Sequence, residues 1–126
     1  LEGVPRSLPA LVKASRIQDK VAGVGFDWEE PKQVFEKVKE ELEELQEEVN
    51  QQNQDLIEAE FGDVLFSMIN YARFLNINPE NALERTNKKF IKRFQYLEEK
   101  AKENKKSLKE MTLEEMDVFW EEAKKA

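Results

Sequence analysis

The sequence predicts an all-α fold, an antiparallel helical bundle, and three observations lead to this prediction. Of its 126 residues, 40% are hydrophobic and 37% are charged, with 4 glycines and 4 prolines, a balance typical of helix-rich domains. Apolar residues recur every three or four positions in several long segments, and no segment is a convincing strand. Helix start signals precede these segments. We therefore predict a lead-in over residues 1–6 and a single helical domain over 7–126.

The first predicted helix follows the lead-in. Ser7 can cap it, Pro9 suits its opening turn, and it should end near Ala22. The sequence does not begin with Met, which suggests an excised domain or a trimmed chain. A loop over 23–30 then carries two glycines and two aromatic residues.

The second and third predicted helices form a hairpin. The second starts at Pro31, and its apolar positions continue to Val49. A polar connection over 50–54 leads into the third, which includes Leu56 to Ala72. Because the connection is short, we expect the two helices to run antiparallel.

Two further helices complete the prediction. Asn78 and Pro79 restart the chain into a long helix that reaches about Asn104. The last helix begins at Thr112, whose hydroxyl can form a capping box with Glu115.

Two acidic clusters lie on the predicted hairpin. The second helix carries Glu40, Glu41 and Glu44, and the third carries Glu60 and Asp63. Within each cluster, two carboxylates three residues apart share a helix face about one turn from each other. If the two faces meet across the hairpin, the carboxylates can share a cation.

The neighbours of these acidic residues favour a chemical role. Glu60 and Asp63 lie in a segment that is otherwise apolar around most of the helix, and Glu41 falls between the apolar Val38 and Leu45. We expect such a helix to be buried, and burying a carboxylate is costly unless it is paired or bound to metal.

Structural alternatives stand beside this interpretation. Glu40 belongs to a stretch rich in Glu and Lys, where a solvated helix face would explain it. Glu60 and Asp63 could instead form a buried salt bridge with Lys or Arg of another helix.

The residue types narrow the choice of metal. The chain has neither His nor Cys, so the usual nitrogen and sulfur ligands of zinc, copper and iron–sulfur clusters are missing. Clustered carboxylates without a calcium-binding loop favour Mg²⁺ or Mn²⁺. The lack of Cys also excludes disulfides and Cys nucleophiles, and it fits the reducing cytoplasm.

Charge and hydropathy exclude other classes of function. The formal net charge of -7 argues against binding to a nucleic acid polymer, which depends on Lys and Arg. No apolar run has the length of a membrane span, and no secretion signal is visible. A small polyanion could still bind through metal ions.

The fourth predicted helix carries a local basic group. Lys88, Lys89, Lys92 and Arg93 lie together, and Lys89 and Arg93 share a face one turn apart, where a phosphate could bind. The alternative is that they pair with nearby Glu residues. Trp120, in the last helix, would on general grounds be a core or interface residue.

Taken together, these motifs resemble the MazG-type all-α nucleoside triphosphate pyrophosphohydrolases. The sequence is similar to the C-terminal catalytic domain of two-domain MazG proteins from Val4 through Trp120, nearly its whole length. The resemblance rests on an EExxE motif at Glu40–Glu44 and an ExxD motif at Glu60–Asp63. Three further segments support it: Lys13–Lys20, Val24–Trp28 and Asn87–Phe94.

This resemblance implies a Mg²⁺-dependent hydrolysis of nucleoside triphosphates, ribo or deoxy, to the monophosphate and pyrophosphate. It implies a homo-oligomer, most simply a dimer, and the apolar surplus over 56–72 agrees with this. The implied metal ligands are Glu41, Glu44, Glu60 and Asp63. The implied substrate contacts are Lys37, Lys89 and Arg93 for the phosphates, Phe90 within the basic motif, and Trp120 at the base or ribose.

The reaction itself needs a nucleophile held in line with the α-phosphorus and charge neutralised on the phosphate oxygens. A carboxylate near the attacking water can accept its proton; Glu41 is the first candidate and Glu40 the second.

Two other functions stay open from the sequence. One is a non-enzymatic helical interaction or regulatory module, whose acidic stripes are solvated or paired with a basic partner. The other is a pyrophosphatase of narrow specificity, for dUTP or dCTP, because base selectivity depends on pocket shape.

Overall fold

Five α-helices and one 3₁₀ helix make up the structure, a computed structural model that describes residues 1–126, and the predicted all-α class is confirmed. The chain packs as two compact units, Leu1–Glu80 and Asn81–Ala126. The prediction of one domain over 7–126 stays a prediction. In chain order the helices are α1 (Ala10–Ala22), α2 (Pro31–Gln51), α3 (Gln54–Phe74), α4 (Pro79–Glu103), the 3₁₀ helix (Leu108–Glu110) and α5 (Leu113–Lys125).

The start of α1 differs from the prediction. The N-cap is Pro9, in an extended conformation, and no side chain caps the helix. The predicted cap at Ser7 is therefore wrong by two residues. The reason is that proline cannot donate a backbone N–H and favours the position where the first helical bonds have not yet formed. The end at Ala22 agrees with the prediction.

The hairpin of α2 and α3 forms as predicted. A capping box between Glu30 and Gln33 starts α2, with Pro31 at its first position. The chain reverses at Gln52, which has a φ of 60°, and the Asn53 side chain then accepts a hydrogen bond from the backbone of Leu56 to start α3. The short connection makes the two helices neighbours along their length.

The core of the first unit is small. Val34 and Val38 of α2 and Ile69 of α3 are buried, and at the far end of the hairpin the ring of Phe35 stacks on Tyr71 with 5.5 Å between centroids. The helix α1 packs against α3.

Much of the apolar surface of α3, a helix that we expected to be buried, is exposed in the single chain. Phe61, Leu65 and Met68 keep about half of their surface exposed, at 53%, 51% and 47%. Only Ser67 and Ile69 of this helix are buried. The helices α2 and α1 cover only part of α3, so the rest of its apolar surface stays in contact with solvent.

The second unit, described by itself, is built from α4, the 3₁₀ helix and α5. Leu97, Ala101, Met111 and Ala123 form its buried core. The capping box predicted between Thr112 and Glu115 is present at the start of α5. None of the helices combines the length and apolar character of a membrane span.

Candidate metal and nucleotide site

Three carboxylates from the two helices of the hairpin meet. Glu41 comes from α2, and Glu60 and Asp63 come from α3; one oxygen of each lies within 4.8 Å of the other two. The three-residue spacing puts the α3 pair on one face, and the antiparallel register brings that face to Glu41. The hairpin therefore brings together three of the four carboxylates that we expected to meet.

Glu41 is the buried member of the cluster. It is 6% exposed, whereas Glu60 is half-buried and Asp63 is exposed. The ammonium of Lys37, one turn earlier, lies 2.9 Å from Glu41 Oε1. Glu41 Oε2 is buried and has no hydrogen-bond partner. One oxygen of this carboxylate is thus paired with Lys37 within α2, and the other oxygen can still accept a hydrogen bond or coordinate a cation.

Lys37 and Glu40 complete this part of α2. The hydrogen bond with Glu41 is the main reason that the pKa of Lys37 lies above its usual value. Glu40 is exposed and approaches Lys37 at 3.4 Å. Lys37 therefore stays charged and bridges the two candidate proton acceptors.

Repulsion raises the pKa of two neighbouring carboxyl groups. The pKa of Glu44 is raised mainly by the charge of Glu41, followed by partial desolvation and the charge of Glu60. The pKa of Glu60 is raised mainly by desolvation, followed by the charges of Asp63 and Glu41, and a hydrogen bond with Glu44 opposes the rise. Glu44 thus adjoins the three clustered carboxylates without belonging to the closest set.

A hard divalent cation fits these residues. The donor set consists of carboxylate oxygens alone, which Mg²⁺ and Mn²⁺ prefer. Unpartnered buried oxygens on Glu41 and Glu60 are the observation that supports a cation, since such atoms normally have a partner. Apart from Lys37, no cationic side chain forms an ion pair with the cluster, so the alternative of a buried salt bridge to Glu60 and Asp63 is not observed.

The basic and aromatic candidates lie in the second unit. Lys89 and Arg93 line a cavity of about 190 Å³ together with Lys92 and Lys124, whereas Lys88 does not line it. The ring of Phe90 contacts Trp120 with 4.9 Å between centroids. Among the predicted substrate residues, Lys89 and Arg93 of α4 thus line one cavity. Phe90 of α4 and Trp120 of α5 are in contact with each other.

Sequence reasoning missed three features of the first unit. Glu48 of α2 is half-buried and has a buried oxygen without a partner. Its spacing of four residues from Glu44 was the available signal. Gln18 is buried, and Arg73 pairs with Asp27 of the 23–30 loop. No local pattern signals these contacts, because they join residues far apart in sequence.

The fold and the site define a class of protein, an all-α protein whose helical hairpin carries a carboxylate cluster of the kind that binds divalent metal. Comparison with known families makes this specific: the chain belongs to the MazG nucleotide pyrophosphohydrolase domain family, which matches residues 29–97. The match includes both acidic motifs and the basic motif of α4, and it does not include Gln18 or Trp120.

Individual relatives agree with the family. The chain is 45% identical to the nucleoside triphosphate pyrophosphohydrolase/pyrophosphatase MazG of Thermotoga maritima over 117 residues, 93% of this chain and 45% of that protein. It is 39% identical to the nucleoside triphosphate pyrophosphohydrolase of Escherichia coli K12 over 127 residues, 99% of this chain and 48% of that protein. The uncharacterized protein YabN of Bacillus subtilis is 56% identical over 68 residues, 54% of this chain and 14% of that protein. The chain thus spans about half the length of the first two relatives.

Proposed function

We propose that this chain hydrolyses nucleoside triphosphates, ribo or deoxy, to the monophosphate and pyrophosphate in a Mg²⁺-dependent reaction. The observation that carries the proposal is the buried, unpartnered oxygen of Glu41 beside Glu60 and Asp63. Family membership and the names of the Thermotoga maritima and Escherichia coli relatives support the same activity.

In this proposal Glu41, Glu44, Glu60 and Asp63 hold the metal. Mg²⁺ bound there would supply positive charge to the phosphate oxygens and lower the pKa of a water molecule that it coordinates; Mn²⁺ could substitute for it. The high pKa of Glu44 and Glu60 means that the apo cluster resists holding all its charges at once. Cation binding removes this repulsion, so the site favours a divalent ion.

The protein's own groups would manage the proton and the phosphates. The water oxygen bonds to the α-phosphorus, the bond from that phosphorus to the bridging oxygen breaks, and pyrophosphate leaves. Glu41 accepts the water's proton, with Glu40 as the second candidate. The Lys37 ammonium lies 2.9 Å from Glu41 and 3.4 Å from Glu40. It is positioned to leave one of these carboxylates and to bind a phosphate oxygen of the substrate instead.

The remaining substrate contacts come from the second unit. Lys89 and Arg93 share a cavity wall with two more lysines, a concentration of positive charge that suits the triphosphate. Phe90 and Trp120, which pack against each other, offer aromatic surface to the nucleoside.

We also propose that the working protein is a homodimer in the cytoplasm. The exposed apolar residues of α2 and α3 are the support for a dimer, since a monomer rarely exposes so many. The absence of Cys is consistent with a reducing compartment.

The test is to incubate the protein with each of the eight standard nucleoside triphosphates and Mg²⁺ and to identify the products. Pyrophosphate with monophosphate supports the proposal, whereas orthophosphate with diphosphate places cleavage at a different bond. Turnover of dUTP or dCTP alone would support the narrow-specificity alternative. No hydrolysis, together with no Mg²⁺-dependent thermal shift, would support the interaction module.

A further inference from the structure

Glu48 of α2 is a carboxylate for which the chain supplies no partner. The residue is half-buried, and its Oε2 is buried without a hydrogen-bond partner. No Lys or Arg forms an ion pair with it. Buried polar atoms in proteins nearly always have a partner, so an oxygen in this state calls for a physical reason.

The sequence around Glu48 accounts for the missing partner. Residues three and four positions apart are neighbours on a helix surface, and none of those around Glu48 is cationic: Glu44, Leu45, Gln51 and Gln52. Lys37, the base that pairs with acids of this part of α2, is held by Glu40 and Glu41. A partner for Glu48 therefore has to come from outside the side chains of α2.

Helix direction brings Glu48 toward the carboxylate cluster. Side chains on an α-helix lean toward its N-terminus. Glu48 thus leans along α2 toward Glu44, one turn away, and Glu60 leans along α3 toward the connection between the two helices. Because the helices are antiparallel, the side chains of Glu48 and Glu60 lean toward each other.

The charge of Glu48 reaches Glu60. Desolvation is the main cause of the raised pKa of Glu60, and the charges of Asp63, Glu41 and Glu48 add to it. Glu60 Oε2, like Glu48 Oε2, is buried without a hydrogen-bond partner. Ionised carboxylates only accept hydrogen bonds, so neither residue can supply the donor that the other lacks.

A divalent cation in the adjacent cluster would bring such a donor. Mg²⁺ usually keeps several water molecules when carboxylates bind it, and a charged partner strengthens the hydrogen bonds that these waters make. Glu48 lies one turn beyond Glu44 and outside the closest set of Glu41, Glu60 and Asp63. This position suits contact with a coordinated water molecule rather than with the cation itself.

We infer that Glu48 is a positioning residue of the metal site, whose buried oxygen accepts a hydrogen bond from a water molecule held by the bound divalent cation. The inference rests on the metal site of the proposed function and adds to it a residue outside both acidic motifs. Glu48 contacts neither the cation nor the substrate. It acts by orienting the water and by removing the cost of its own unpartnered oxygen.

The experiment is isothermal titration calorimetry with MgCl₂ and no nucleotide, on the parental protein, Glu48→Gln and Glu47→Gln. Glu47 is the adjacent, exposed residue, so both substitutions remove one negative charge from the same turn of α2. We expect Glu48→Gln to raise the Mg²⁺ dissociation constant by about tenfold or more, because an amide is a weaker acceptor than a carboxylate. Glu47→Gln should leave the constant within about twofold of the parental value. Equal constants in the two variants overturn the inference.

Further measurements distinguish this role from a structural one. Glu48→Leu removes the acceptor altogether and should raise the Mg²⁺ dissociation constant at least as far as Glu48→Gln. Circular dichroism without metal should show the parental fold in both variants. If Glu48 instead pairs with a second copy of the chain, Glu48→Gln weakens the dimer in sedimentation velocity and leaves Mg²⁺ affinity unchanged, which overturns the inference. A stoichiometry that falls from two ions to one in Glu48→Gln also overturns it, because Glu48 would then be a direct ligand.

The outcomes separate this inference from the proposed function, because Mg²⁺ binding is measured without nucleotide. Pyrophosphate release by the parental protein, with parental Mg²⁺ affinity in Glu48→Gln, overturns the role of Glu48 alone. Weaker Mg²⁺ binding in Glu48→Gln, with no pyrophosphate released by the parental protein from any nucleotide, supports that role and contradicts the proposed function. If the parental protein does not bind Mg²⁺, both proposals fail.

Discussion

At the residue scale, Glu41 determines what the cluster can do. Its burial would be costly for an unpaired carboxylate, and Lys37 compensates for only one of its two oxygens. Asp63, which we expected to be desolvated, is exposed, so it carries a smaller penalty. The cluster thus combines one buried carboxylate with more accessible ones, an arrangement that would leave room for water molecules on a bound divalent ion.

Replacing one ligand tests the metal site. Glu60→Gln should lower Mg²⁺-dependent pyrophosphate release by more than about 100-fold, because a neutral amide is a poor ligand for Mg²⁺. Urea denaturation without metal should give an unchanged or higher free energy of unfolding, since repulsion with Asp63 and Glu41 is removed. The control is Glu58→Gln, an exposed position on the same helix. Parental turnover in Glu60→Gln would exclude Glu60 from the site.

The raised pKa values of Glu44 and Glu60 predict a pH dependence. Both lie above the usual 4.5, so the metal-free folded state binds these protons more tightly than the unfolded state. Their repulsion destabilises the fold above the raised pKa and is relieved as pH falls toward 4.5. Protonation also competes with Mg²⁺. We expect the Mg²⁺-induced rise in Tm to be larger at about pH 7.5 than at about pH 5.

Thermal unfolding at the two pH values, with and without Mg²⁺, measures this effect. Comparison with Glu60→Gln isolates the cluster from other titrating groups. A Mg²⁺-induced shift in Tm that is the same at both pH values would contradict the assignment of Glu44 and Glu60 as metal ligands.

At the scale of elements, turn and cap residues position the site. The reversal at Gln52 and the cap at Asn53 set the register that brings Glu41 to Glu60 and Asp63. The 23–30 loop has no helix or strand of its own, and the ion pair of Asp27 with Arg73 ties it to α3. Both residues line the cavity between α1, this loop and α3, so the shape of its wall depends on that tie.

Breaking the loop contact should have a modest cost that depends on pH. The side chains of Arg73 and Asp27 are 25% and 27% exposed, so we expect Arg73→Leu to lose about 1 kcal/mol of unfolding free energy near neutral pH. The hydrogen bond from Arg73 lowers the pKa of Asp27 below 3.8. The ion pair's contribution to the free energy of unfolding is therefore complete above pH 3.8 and is lost as the pH falls through the lowered pKa of Asp27.

A double-mutant cycle with Asp27→Asn, followed by urea denaturation, measures this coupling. A coupling energy of zero at neutral pH would mean that the pair does not hold the loop.

The capping box of α5 allows a second test at this scale. The Thr112 hydroxyl accepts a hydrogen bond from the Glu115 backbone at 3.1 Å, and the Glu115 carboxylate accepts one from the Thr112 backbone at 3.1 Å. Thr112→Ala should cost about 1 kcal/mol of unfolding free energy. Thr86→Ala, at an exposed position within α4, is the control and should be neutral or slightly stabilising. Equal effects of the two substitutions would contradict the role of the cap.

At the scale of the whole molecule, the hairpin presents more apolar surface than one chain covers. Leu42 and Val49 of α2 recur every seven residues, and Phe61, Leu65 and Met68 of α3 recur every three or four; each is between 43% and 53% exposed. These are regular helix faces rather than scattered residues, and such faces mark interaction surfaces. A second copy of the chain is the partner that we propose for them.

Dimerisation can be tested at this surface. Leu65→Glu should raise the dimer dissociation constant by about tenfold or more, because a charge would be buried at the interface. Leu113→Glu, at an exposed leucine of α5, should leave the dissociation constant unchanged. Sedimentation velocity over a range of concentrations measures both. A parental protein that sediments as a monomer throughout would contradict the dimer.

The sequence by itself determined the helices, most of their ends and the residue types at the carboxylate cluster. These depend on local interactions: apolar spacing, proline and capping residues, and the three-residue spacing of acids on one helix face. The family resemblance came from the same short motifs. The start of α1 was the local feature that we placed wrongly, because Ser7 and Pro9 offered competing signals.

Only the tertiary structure decided which acid is buried, which carboxylate Lys37 pairs with, and that Gln18, Trp28 and Asn70 line one cavity. Burial depends on what covers a face, and in the single chain α2 and α1 leave much of the apolar surface of α3 exposed. The cavity joins residues up to 56 positions apart, from Ile17 to Arg73. Such contacts arise from packing between helices, which no local pattern in the sequence specifies.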